Sequence, residues 1–123
     1  MTRSTGLVAV AALGLFALSA CSSSDGGASA ATTAVTVTAD DQTCAISPAA
    51  AKAGTVAFTV TNDGQQVTEV YVYASGDAVV AEKEDITPGS TVEFTAEVAA
   101  GTYDVACKPG MTGDGIRSVL TVE

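Results

Sequence analysis

The 123-residue sequence contains no histidine. That absence excludes a Ser-His-Asp triad, a Cys-His nucleophile, a Cys₂His₂ zinc site and any copper site built on imidazole. A long apolar run is also missing: the run from Gly6 to Ala17 (GLVAVAALGLFA) falls short of the roughly 20 residues of a spanning helix. Cations are scarce. Beyond Arg3 there are Lys52, Lys83, Lys108 and Arg117 against fourteen acids, which makes nucleic acid an unfavourable partner and favours solubility and the capture of cations. No glycine-rich segment opens a helix, so a phosphate loop is excluded. With no acid/base pair or nucleophile relay either, the sequence reads as a non-enzyme.

What is present starts with export. Arg3, the short apolar run and the small residues Ser19 and Ala20 describe a secretory signal over residues 1–20. The tetrapeptide Leu18-Ser19-Ala20-Cys21 resembles the lipobox of bacterial lipoproteins. That resemblance implies that Cys21 is lipidated and that the chain sits on the extracytoplasmic face of the cell membrane. More than one acyl chain gives durable anchoring, because each buried CH₂ contributes about 0.8 kcal/mol. Residues 21–33, small and polar after the cysteine (SSSDGGASAATT), read as a flexible tether. Residues 34–123 are then one modest domain.

Within that domain no stretch reads at helical period; only Ser47 to Lys52 (SPAAAK) has the composition for a turn of helix. Apolar and polar residues alternate instead, as in Val35/Val37, Val56/Phe58/Val60, Val70/Val72 and Val92/Phe94. Turn signals separate these runs, including Asn62-Asp63-Gly64, Ser75-Gly76-Asp77, Pro88-Gly89 and Ala100-Gly101. The pattern predicts an all-β Greek-key sandwich of seven or eight strands.

Cys107 ends a predicted strand, and Met111 follows four residues later on a loop; a thiolate and a thioether so placed are soft donors. The run Gly101-Thr102-Tyr103 to Cys107-Lys108-Pro109, a loop and a last strand resemble the C-terminal hairpin of cupredoxins. Thr61-Asn62-Asp63-Gly64 before Thr68-Glu69-Val70 resembles the cupredoxin segment that carries the first histidine ligand. Here that position is Glu69, and the second histidine position is Gly110, so a trigonal His₂Cys centre cannot form. A fuller resemblance, over about Val35 to Val122, is to the cupredoxin-like domain of EfeO-type iron-uptake lipoproteins. It is carried by Cys44 before Ser47-Pro48, by Ala53-Gly54-Thr55-Val56, by the runs Thr59 to Gly64 and Thr68 to Tyr73, by Ala100-Gly101-Thr102-Tyr103, and by Cys107-Lys108-Pro109-Gly110-Met111 with Gly113-Asp114-Gly115-Ile116-Arg117.

The resemblance implies a copper- or ferric-iron-binding module with metal ligands at Cys44, Glu69 and Cys107, joined by Met111 and Asp114, and a partner in iron uptake. EfeO proteins continue into a helical peptidase-like domain that this sequence does not contain, which separates the fold from that role. Asp40 and Asp41 read as loop acids whose oxygens would suit Fe³⁺ better than thiolates do. Tyr103 reads as a structural tyrosine corner. Two alternatives stand for Cys44 and Cys107: a metal-ligand pair, or a disulfide in a metal-free structural or interaction domain.

Overall fold

The computed structural model describes residues 32–123. The signal segment, Cys21 and nearly all of the tether lie outside them. Nine strands follow in order. They are β1 (Thr33–Ala39), β2 (Cys44–Ser47), β3 (Ala50–Ala51), β4 (Gly54–Asn62), β5 (Thr68–Ala74), β6 (Ala78–Ile86), β7 (Thr91–Val98), β8 (Gly101–Pro109) and β9 (Ile116–Val122). A short 3-10 turn, Ser75–Asp77, links β5 to β6. The strands form two sheets, ordered β2-β1-β4-β7 and β3-β9-β8-β5-β6. The all-β sandwich read from the sequence is the fold.

Alternation sets the core. Val56, Phe58 and Val60 of β4, Val70 and Val72 of β5, and Val105 and Cys107 of β8 are fully buried between the sheets, as a half-buried strand of period two requires. Phe58 stacks on Phe94 of β7, its register partner, with ring centroids 5.0 Å apart. The Tyr103 hydroxyl donates to the Ala99 carbonyl at 2.7 Å, the corner expected of a Greek-key strand.

One reading needs correction. Ser47 to Lys52 holds no helix. Ser47 ends β2, and Ala50 and Ala51 form β3, with Pro48 between them. Pro48 has no N–H to donate, and the alanines after it pair with β9 instead of coiling. The turn at Asn62-Asp63-Gly64 lies between strands of different sheets, β4 and β5, and crosses from one to the other.

Asn62 holds that crossing. It is buried, and its amide donates to the carbonyls of Gln66 and Ile86, each at 2.8 Å. Its side-chain oxygen accepts the Gly64 N–H at 2.9 Å, and its backbone pairs with Ser90 and Gly89. Asn62→Ala leaves two buried partners and one part-buried partner without their bonds and is expected to lower stability by about 3 kcal/mol, read as a lower urea midpoint at unchanged slope. A loss under about 1 kcal/mol would show that water replaces the amide. Gly64 is tied to the same junction, since a Cβ there would collide with the Asp41 carboxylate.

Candidate metal centre

Cys107 lies near the end of β8, a strand paired on both sides, with Val70 of β5 and Ile116 of β9 as its register partners. Cys44 opens β2 beside Ala39 of β1. Both side chains point into the sandwich, and they are joined by a disulfide with Cα atoms 5.5 Å apart. The bond ties one sheet to the other, because β2 and β8 belong to different sheets. The Ser118 hydroxyl of β9 donates to the Cys44 carbonyl and adds a second tie at the same place.

Glu69 is not part of this cluster. It is the register partner of Lys108, one position away from the Val70–Cys107 pair. Successive residues of a strand face opposite sides of a sheet. Glu69 therefore lies on the outer face, while Cys107 lies on the inner one. The expectation that Cys44, Glu69 and Cys107 converge as three ligands is corrected on that ground.

On the outer face Glu69 is 7% exposed, and the Lys108 ammonium stands 3.9 Å from its carboxylate. Lys108 also lies over the ring of Tyr71, 4.1 Å from its centroid, and reaches that of Tyr73 at 5.5 Å. The two rings stack at 5.3 Å. Arg117 covers Tyr73 at 4.7 Å and bonds Asp77 at 2.7 Å and Asp104 at 3.2 Å. The alternation in β5 puts Glu69, Tyr71 and Tyr73 on the face opposite Val70 and Val72; the cover of Lys108 and Arg117 over those rings was missed in the sequence. Its signal was the alternation that puts Tyr71, Tyr73 and Lys108 one step out of phase with Val70 and Cys107.

Burial pushes the Glu69 carboxyl above its ordinary value of 4.5; Lys108 pulls it back, and Glu84, Glu82 and Asp85 push it further up. The folded state therefore holds this proton more tightly than the unfolded chain does. The stabilisation is fully present below the ordinary value and is lost as pH rises through the raised one. Wild type is expected to lose stability relative to Glu69→Gln as pH rises through and above the ordinary carboxyl value, measured by urea unfolding of both. A difference independent of pH would contradict the shift.

Met111 and Asp114 lie on the loop after β8. Met111 closes a turn by donating its N–H to the Lys108 carbonyl at 2.9 Å, with φ +56° and a half-exposed side chain. Asp114 is exposed, and its carbonyl accepts from Arg117 at 3.3 Å. The Asp40 carboxylate accepts from the Thr43 hydroxyl and from the backbone N–H groups of Gln42 and Thr43, all at 2.7 Å. Those bonds, the Thr43 hydroxyl foremost, hold its pKa down. Asp41 accepts the N–H groups of Gln65 and Gln66. Both acids therefore shape loops.

Among the described residues, no group of three or more His, Cys, Asp or Glu side chains converges to hold a metal ion. A surface cleft of about 160 Å³ is lined by Thr33, Ala50, Ala51, Lys52 and Glu123. Another, of about 220 Å³, is bounded by Tyr73, Asp77 and Asp104 among others; the disulfide lines neither. A blue-copper ion needs imidazoles, which the sequence lacks, and a thiolate, which the disulfide withdraws. In this oxidised state the donor set does not fit copper.

Comparison with known proteins places the fold. Reduced auracyanin from Roseiflexus castenholzii superposes with a TM-score of 0.58 at 18% identity, over 76% of this chain and 98% of that one. Auracyanin A, a blue copper protein from Chloroflexus aurantiacus, gives 0.57 at 18% identity, over 76% of this chain and all of the other. The copper-containing nitrite reductase of Thermus scotoductus gives 0.52 at 20%, over 76% of this chain and 28% of that one. Among curated proteins no match was found. The family model for the cupredoxin-like domain matches residues 7–122, and the chain belongs to that family.

Proposed function

We propose that this chain is an extracytoplasmic, lipid-anchored cupredoxin-like binding module, not an enzyme, whose Cys44–Cys107 pair decides whether it takes a metal. As a disulfide it is a metal-free domain. As a dithiol it offers two thiolates to copper. The observation that carries the reading is the position of the bond: it joins the cysteine that resembles the copper ligand of cupredoxins to a cysteine of the neighbouring sheet. Thiolate and thioether donors suit Cu(I), and Met111 on the adjoining turn is the natural third donor. Glu69 and Asp114 are not needed.

Copper is preferred to iron. Ferric iron wants oxygen donors, and Asp40 and Asp41 are engaged in backbone bonds. An iron-uptake partner, implied by the EfeO-type resemblance, finds no support in this geometry.

The test is an anaerobic Cu(I) titration against a competing chelator. Reduced protein is expected to bind one ion per chain, oxidised protein none, and Glu69→Ala to match wild type when reduced. Equal behaviour of the reduced and oxidised forms would leave the metal-free structural domain as the better reading.

A further inference from the structure

We infer that β2 is a strap over the disulfide, so that on reduction Cys44 swings outward while Cys107 stays in place. This deepens the proposed function by naming how its site opens, and it rests on that reading only for its purpose.

The two cysteines are held very unequally. Cys107 sits in β8, which is flanked by β5 and β9, and its side chain is fully buried. Moving it would break ladders on both sides. Cys44 is the first residue of a four-residue edge strand whose one ladder is with β1. Its remaining ties across the sandwich are the disulfide, the Ser118 hydroxyl and a long contact of 3.8 Å from its sulfur to the Val105 carbonyl.

Both ends of the strap are fixed. Before it, Asp40 donates its N–H to the Thr43 carbonyl at 3.0 Å and caps that turn with its carboxylate. After it, Ala49 accepts from Thr121 at 3.0 Å, and Ala51 accepts from Glu123 at 3.0 Å. Short edge elements with few ties open at lower free energy than central strands. Loss of the covalent tie therefore loosens residues 44–48 between two anchored points and uncovers Cys107.

A dithiol reductant supplies the chemistry. Its two thiols close into its own disulfide, and the two electrons and two protons they release leave Cys44 and Cys107 as free thiols.

The experiment contains no metal, so its failure is separate from failure of the copper reading. Reduced protein, with excess reductant removed anaerobically, is alkylated with iodoacetamide, and each site is followed by peptide mass spectrometry. Cys44 is expected to react about tenfold faster than Cys107. Ser118→Ala, which removes the second tie, is expected to raise the Cys44 rate further. Far-UV circular dichroism should keep its β signature throughout. Equal rates, faster reaction at Cys107, no acceleration in Ser118→Ala, or loss of the β signature on reduction would each overturn the proposal.

Discussion

Reducing the Cys44–Cys107 bond is expected to lower the stability of the domain by about 4 kcal/mol. The bond closes a loop with a sequence separation of 63 residues; on the chain-entropy model, a loop of that length removes freedom from the unfolded chain worth about 4 kcal/mol. For a domain of this size the loss corresponds to a fall in Tm of about 20 °C. A double Cys44→Ala/Cys107→Ala variant should fall at least as far, because it adds two small voids in a close-packed interior. Domains of this kind hold about 5–15 kcal/mol, so the reduced chain is expected to remain folded at room temperature. Differential scanning calorimetry with and without reductant checks the figure. A shift below about 5 °C would mean that the unfolded chain keeps these segments close without the bond.

Loss of Cys21 is expected to have an all-or-none effect. After Cys21 come twelve small, mostly polar residues up to Thr33, and β1 begins at Thr33. Such a segment has no apolar face to bind a bilayer, and no helix of the described residues is long and apolar enough to cross one. On the proposed anchoring, retention rests on acyl chains at Cys21. Cys21→Ala should move the protein from the membrane fraction to the soluble one, measured by fractionation and immunoblotting. A mutant still found in the membrane would contradict lipid anchoring.

Most long strands were legible because they repeat their apolar residues at period two over three or more positions; β6, with Val79 and Val80 adjacent and a charged run after them, is the exception. The run Val56, Phe58 and Val60 in β4 has no helical reading. The short elements were not. β2 and β3 span four and two residues, too few to show a period, and the alanines from 49 to 51 favour helix when taken alone. Only pairing with β1 and β9 makes them strands.

The candidate site was legible in its residues, and its faces were legible in the alternation. That Cys44 and Cys107 meet follows from the resemblance, and the disulfide was the alternative that an oxidising compartment permits. Val70 and Val72 alternate with Glu69, Tyr71 and Tyr73 in β5, and Val105 and Cys107 alternate with Lys108 in β8, so burial of the apolar set sends Glu69 and Cys107 to opposite faces; the expectation of a shared site came from the resemblance. The observed pairing of Val70 with Cys107 sends Glu69 to Lys108 and the tyrosines.

Elemental analysis of protein purified anaerobically from the envelope without added metal, split by non-denaturing chromatography into dithiol and disulfide fractions that are each assigned by mass spectrometry, tests the central claim most directly. The account predicts about one copper per chain in the dithiol fraction and none in the disulfide fraction. Copper in the disulfide fraction, or a dithiol fraction without copper, would contradict it.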